Sequence, residues 1–527
     1  MVPRARRHII SWRWLFLVAW CGFLFFYGLS GPLYRTESLR AIIGQSALDG
    51  HWLTPTLYGE PFLTKPPGAY SAIGLASIPF GKVTEVSARL PSAFAATLTV
   101  LFVFARLRRT LGEQRAIELL HLSVSGRGPV VWSGVEKTSS PSPKRTGGRE
   151  EKAFLAALAL PISMLWLDKV PSAEIDMLQL AWVTIAIFSL HQAVKIREES
   201  NRSAWQWWLA ALLCVAGGFL TKWTAPAFFY LAAIPFLWTR GHLRWLFSLP
   251  HLLTCGVAIA ICSVWALLVT NEVGWATLSD TIYREGAQRF APKGNGKPYP
   301  WLESLTFPAV VLAANLPWAI PALWSLRPKF MSSLAEPERR LVQLLHCWAW
   351  PNLIFWSLPA QHNVRYVLPI CPAITLLGVI ALMRWAEGVW PVAQVSNLSC
   401  RPHAKAIASV LIIWVILKII FVEVIVPSRT ANRNAQETGE QLSALVPEGE
   451  ILYLCRLKDE GVLFYYSRPA RRFALPVEAP GYAILLDEEW KSIDPNRYQY
   501  VSELRDQQQA PIHLVRFHSA TKEARGW

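Results

Sequence analysis

The chain has 527 residues, 53% of them apolar, and a mean hydropathy of +0.27. Apolar runs of bilayer-crossing length, roughly 20 residues, recur along most of it, whereas a soluble chain this long would divide into domains joined by polar linkers. A soluble globular protein is therefore excluded, and the net charge of +16 reads as basic cytoplasmic loops, with no nucleic-acid partner expected.

Arg4, Arg6 and Arg7 precede an apolar stretch over 12–30. It is longer than a signal-peptide core and is followed by no A-x-A site, so it reads as the first span. Further spans are expected at 88–107, 153–168, 176–194, 205–220, 224–239, 245–270, 305–324, 341–359, 366–384 and 406–426, about eleven in all. The 26 Trp and 24 Phe residues suit lipid-facing and interfacial positions. The short apolar stretch 68–80 reads as a helix lying in the interface. Basic residues gather in alternate loops, namely 4–7, 106–152, 195–202, 240–244, 327–339 and 384–405. The positive-inside rule makes that side cytoplasmic, and an odd number of spans then places the C-terminus outside. Segment 115–152 is rich in Gly, Ser, Pro and charge and reads as a flexible cytoplasmic insertion. Six of the eight cysteines lie in apolar segments and no CxxC occurs, so neither a zinc site nor a disulfide framework is indicated.

From Pro427 the composition changes. ILYLCRL (451–457), YAILLD (482–487) and PIHLVRF (511–517) have strand character, and 459–467 and 487–493 look helical. The expected architecture is an all-α polytopic membrane bundle over 1–426 with a small soluble α/β domain over 427–527.

The first outer loop, 31–87, carries the densest chemistry. Glu37 and Arg40 sit one helical turn apart, then come Asp49-Gly50-His51-Trp52-Leu53, Pro55, Gly59-Glu60-Pro61, Lys65-Pro66-Pro67 and Arg89-Leu90-Pro91-Ser92. In content and order this resembles the opening of the polyprenyl-phosphate-sugar-dependent glycosyltransferases of the protein mannosyltransferase and aminoarabinose transferase type, family 39 of the GT-C class. Further along, Ile175-Asp176-Met177-Leu178, Gly218-Phe219-Leu220-Thr221-Lys222, Arg289-Phe290, Lys297-Pro298, Leu316-Pro317-Trp318 and Arg365-Tyr366-Val367-Leu368-Pro369 resemble later motifs of that family. There are two departures. Glu37 stands where the family usually has Asp, and Thr64 stands where the aminoarabinose branch has a glutamate linked to a metal. A divalent metal ion is left open, and no other cofactor is implied.

The resemblance implies a GT-C-like bundle in a bacterial inner membrane. It would take a polyprenyl-phosphate-linked sugar as donor and a lipid, glycan or protein as acceptor on the non-cytoplasmic face, among membrane lipids. Such chemistry needs cations to stabilise the phosphate leaving group and a carboxylate to take the acceptor's proton. Glu37 is the expected base and Asp176 the second acid, positioning the acceptor or a metal. Arg40, Lys65, Arg284, Arg289 and Arg365 are expected on the substrate, with Tyr366 as a supporting donor. Two rivals are a transporter of a lipid-linked substrate and an inactive relative of the enzymes. Polar groups gathered in outer loops, without a visible internal repeat, favour the enzyme.

Overall fold

The computed structural model describes residues 11–34, 36–112, 147–200, 202–286, 298–389, 400–430, 435–472, 481–493 and 498–517. The helices of the bundle are α1 (Trp12–Phe26), α2 (Thr36–Leu48), α3 (Gly68–Ser77), α4 (Glu85–Gly112), α5 (Gly147–Ala159), α6 (Met164–Lys169), α7 (Asp176–Ser200) and α8 (Trp205–Thr221). They continue with α9 (Ala225–Thr239), α10 (Leu249–Val273), α11 (Trp275–Glu285), α12 (Trp301–Ala314), α13 (Ala319–Trp324), α14 (Pro328–Ser332), α15 (Glu336–Trp356), α16 (Cys371–Val389), α17 (Cys400–Ile420) and α18 (Val426–Thr430).

The protein is a multi-pass membrane protein. Among the described residues, five helices are long and apolar enough to cross a bilayer: Glu85–Thr110, Asp176–Ser200, Leu249–Val273, Val364–Ala386 and Ile407–Thr430. The other expected spans are shorter or interrupted. The one expected at 153–168 is broken between α5 and α6, where Pro161 has no N–H to continue the ladder and Ser163 restarts it by accepting from the Trp166 N–H. The one expected at 305–324 is broken at Asn315–Trp318, around Pro317. The insertion expected at 115–152 falls mostly outside the described residues, but 147–152 forms the first turns of α5.

Burial sorts the spans. In the apolar window of α7, 78% of residues are buried, against 22% in α10 and 17% in the Ile407–Thr430 span. Helix α7 is thus the central post, its Phe188 meeting Phe102 and Trp348 edge to face, and the other two face lipid. Helix α3 has 10 residues and is about 15 Å long, half the ~30 Å hydrocarbon core, so it does not span. It lies closely on α2 because both contact positions are glycine. A Cβ on Gly44 would collide with Ile73, and one on Gly74 would approach the Leu48 nitrogen to 3.1 Å.

The C-terminal region forms a five-stranded sheet of β3 (Leu452–Leu454), β4 (Ala470–Arg472), β5 (Gly481–Leu486), β6 (Tyr498–Arg505) and β7 (Pro511–Phe517), in the order β4-β3-β5-β7-β6. Strands β1 (Thr56–Leu57) and β2 (Glu60–Pro61) make a small hairpin in the first loop. Strand β3 runs parallel to β4 and β5, and the remaining pairs are antiparallel. Helices α19 (Ala435–Leu445), α20 (Glu460–Tyr466) and α21 (Asp487–Ser492) complete the unit. Its core of Leu442, Leu452, Leu454, Val462, Ile484 and Leu514 also takes in Tyr58 from the hairpin. The Leu33 N–H donates to the Tyr465 hydroxyl at 3.1 Å. The sheet unit therefore sits on the first loop, at one end of the bundle. At the other end of α7, about 37 Å away for its 25 residues, Glu198 pairs with Arg240 and Arg340, and Glu338 pairs with Arg384.

Candidate active site

Under the sheet unit, the ends of five elements bring charged side chains together. Arg40 lies on α2, Tyr70 on α3, Asp176 at the first position of α7 with Glu174 just before it, and Lys222 at the residue that ends α8. Arg365 and Tyr366 come from the 3₁₀ turn Val364–Ile370, whose start is capped by Asn363 accepting from the Arg365 N–H. The positions follow from local sequence. Lys222 adopts an extended conformation and halts the helix. Lys65 is held straight by the two prolines after it, and the Trp223 indole donates to the Thr64 carbonyl beside it at 3.1 Å.

The contacts form one network. Lys222 Nζ lies 2.5 Å from Asp176 Oδ1 and 4.9 Å from the centre of the Tyr366 ring. Glu174 Oε1 accepts from Arg365 Nη1 at 2.9 Å and from the Thr36 hydroxyl at 2.5 Å. Arg40 Nη1 donates to the Tyr70 hydroxyl at 3.0 Å, and Lys65 pairs with Glu285 of α11. Arg40, Lys65, Glu174, Asp176 and Lys222 are all less than 9% exposed. Burial alone would lower the Arg40 guanidinium, but Tyr70 and Glu174 beside it raise it above its ordinary value. Burial pushes the Tyr70 phenol up, with Arg40 pulling it part of the way back.

Four cations (Arg40, Lys65, Lys222, Arg365) face three carboxylates (Glu174, Asp176, Glu285). Among these described residues the cations exceed the carboxylates by one, in a desolvated setting. Buried ions of this kind are costly to assemble and are weak evidence for stability. They suit a ligand that brings negative charge.

Glu37 requires a correction. It is 4% exposed, and its carboxylate accepts from Arg89 Nε at 2.9 Å, Arg89 Nη2 at 2.8 Å, and the backbone N–H groups of Tyr34 and Ala173 at 2.8 Å each. A carboxylate offers about four acceptor positions, and all are used. Such a group clamps α2 to α4 and is poorly placed to take a proton from a substrate. Arg284 also departs from expectation. It lies on α11 with its side chain 57% exposed, pairs with Asp280 one turn away at 3.0 Å, and lines a cavity of about 230 Å³ with Thr64 and Glu285. Arg289 lies outside the described residues.

Glu174, Tyr70 and Glu285 join the site without having been expected there, and Lys222, which could have extended to the interface, is buried against Asp176 instead. Glu174 stands two residues before Asp176, so it carried a signal of proximity only. Glu174, Arg365 and also Glu37 line a cavity of about 360 Å³, walled by Thr36, Arg89, Lys169, Ser172 and Asn363 and, from the last span, Phe421 and Val422. Among the described residues no group of three or more His, Cys, Asp or Glu side chains could hold a metal ion. Glu174 and Asp176 are each engaged by a cation. Thr64 stands beside Lys65, so no carboxylate is supplied at that position.

The family model described as dolichyl-phosphate-mannose-protein mannosyltransferase matches residues 144–267. An undecaprenyl phosphate-alpha-4-amino-4-deoxy-L-arabinose arabinosyl transferase of Pectobacterium carotovorum is 25% identical over 362 residues, 68% of this chain and 56% of that protein. Its namesake in Sodalis glossinidius is 24% identical over 355 residues, 65% of this chain and 53% of that protein. The chain thus spans little more than half the length of the curated relatives it matches. Crystal structures of ArnT from Cupriavidus metallidurans share the fold. The form bound to undecaprenyl phosphate superposes with a TM-score of 0.69 at 15% identity, covering 97% of this chain and 99% of that one. The apo form gives 0.65 at 16% identity, covering 96% and 99%. In sequence the chain is similar to aminoarabinosyl transferases and, over 144–267, to the mannosyltransferase family model, and it shares the fold of ArnT.

Proposed function

We propose that the chain transfers a sugar from a polyprenyl-phosphate donor to a lipid, glycan or protein acceptor at the non-cytoplasmic face of a bacterial inner membrane. In this reading the N-terminus is cytoplasmic and the sheet unit lies outside, over the site. The carrying observation is the buried cluster, with more cations than carboxylates among the described residues, at the end of the bundle that meets the sheet unit. A polyprenyl-phosphate sugar keeps its tail in the bilayer and its phosphate at that depth. Lys65, Lys222 and Arg365 take the phosphate oxygens, exchanging carboxylate partners for the ligand's charge, and stabilise it as it leaves the anomeric carbon. Asp176 holds Lys222 in place, and Tyr366 supports the two cations at its ring. Attack by a single acceptor in line with the departing phosphate inverts the anomeric configuration. Glu37 fixes the scaffold through Arg89.

Undecaprenyl-phosphate ArnT is the relative of like fold, which supports the donor class. The test is to incubate the purified chain with labelled polyprenyl-phosphate sugars and membrane extract, then identify the labelled product. Label in a lipid, glycan or protein is the expected result. Label that stays on the polyprenyl phosphate with every donor overturns the reading.

A further inference from the structure

The three buried carboxylates around the site differ in what remains available on them. Both oxygens of Glu37 are committed to Arg89 and to backbone N–H groups. Asp176 is held through Oδ1 by Lys222 at 2.5 Å and is not among the residues that line the cavity beside Glu174. Glu174 is held by one oxygen only. Its Oε1 takes the Thr36 and Arg365 hydrogen bonds, while Oε2, in a side chain 7% exposed, has no hydrogen-bond partner among the described residues. Arg40 Nε, 3.9 Å away, also lacks a partner among the described residues. That separation is beyond a hydrogen bond, and leaving two buried charged groups unsatisfied is costly. Glu174 is also in the wall of the 360 Å³ cavity. Its terminal carboxylate torsion is soft, so small rotations present Oε2 to a group in that cavity.

We infer that Glu174 is the carboxylate that receives the acceptor's proton, and that the acceptor atom is a neutral hydroxyl oxygen. This rests on the transferase reading above. A hydroxyl is at once a donor, to Glu174 Oε2, and an acceptor, from Arg40 Nε–H. An alkyl amine is protonated at neutral pH and then offers neither an acceptor nor an attacking electron pair, and a phosphate oxygen would meet a carboxylate. In the step, the acceptor oxygen forms its bond to the anomeric carbon as the bond from that carbon to the phosphate oxygen breaks. The hydroxyl proton passes to Glu174 Oε2, and the electron pair leaves with polyprenyl phosphate, charge-paired by Lys65, Lys222 and Arg365. The proton then returns to solvent through the cavity.

The experiment uses the purified full chain, an undecaprenyl-phosphate-linked sugar and membrane extract as the acceptor source, with release of undecaprenyl phosphate as the readout. Glu174→Gln is expected to lose about 10²–10⁴ in kcat with the donor KM changed less than about threefold. Added formate should partly restore Glu174→Ala, which a purely structural loss would not allow. The labelled product should survive mild acid, as an O-glycoside does and a glycosyl phosphate does not. Glu174→Gln turning over at the wild-type rate, a Glu174→Ala defect unmoved by formate, or an acid-labile product each overturns the inference while the transferase reading stands. Wild-type protein that releases no undecaprenyl phosphate overturns the transferase reading, and the inference with it.

Discussion

Replacing Glu37 with Gln separates a clamp from a base. Each Glu37 oxygen accepts one Arg89 hydrogen bond and one backbone N–H. Whichever way the amide turns, its NH₂ faces two donors, and Arg89 loses its counter-charge. Removing one partner of a buried pair costs about 3–5 kcal/mol. Arg89 keeps the carbonyls of Leu29, Gly31 and Pro32, which puts the expected loss at the lower end, about 3 kcal/mol. With an unfolding entropy of about 2.1 cal/mol/K per residue, this corresponds to about 3 °C in the midpoint of a 527-residue chain. The assay is intrinsic fluorescence during heating in detergent at a fixed scan rate, since unfolding of such a chain is commonly irreversible. Glu37→Met combined with Arg89→Met should be more stable than either single change, because removing both charges avoids the unpaired ion. An unchanged midpoint for Glu37→Gln together with a hundredfold or greater loss of turnover would refute the clamp and return Glu37 to the chemistry.

Three further outcomes follow from the same geometry. Lys65→Ala should raise the donor KM more than it lowers kcat, because the contact is made to bound phosphate as well as in the transition state; steady-state kinetics with varied donor checks this. Arg284→Ala should leave stability and turnover near wild type, within about 0.5 kcal/mol, since its one described ion pair is an exposed helical one. In a cysteine-free background in intact cells, a cysteine at Glu488 should react with an impermeant maleimide and one at Arg244 should not. The reverse pattern would invert the orientation and with it the face on which transfer takes place.

Much of the site was legible because it lies in ordered local motifs. Arg40, Lys65, Asp176, Arg365 and Tyr366 were all nameable from the sequence, and the structure gathers the ends of their elements. The engagement of both Glu37 oxygens was hidden from the sequence for a nonlocal reason. The partner Arg89 is 52 residues from Glu37, and only the packing of α4 against α1 and α2 brings the two together. Glu174 was overlooked because nothing local distinguishes a carboxylate before a helix from a solvated one. Its burial comes from Thr36 and Arg365, far off in the chain. Arg284 was named as a phosphate candidate, and on α11 it stands half-exposed at the rim of a cavity beside Glu285, paired with Asp280. The span count came out too regular because hydropathy windows average across Pro161 and Pro317, whereas the backbone ladder stops there. In the sheet unit, β3, β5 and β7 coincide with the expected apolar runs. Strand β6 was missed because it is an edge with mixed exposure and a register shift between Tyr500 and Ser502.

The most direct test of the central claim is the balance sheet of a single reaction. Purified protein is given an undecaprenyl-phosphate sugar of known anomeric configuration with membrane extract, and both products are quantified. The account predicts one undecaprenyl phosphate released per sugar transferred, with the configuration at the anomeric carbon inverted in the product. Sugar that stays attached to its lipid carrier while crossing the bilayer of a reconstituted vesicle, with no undecaprenyl phosphate released, would contradict it.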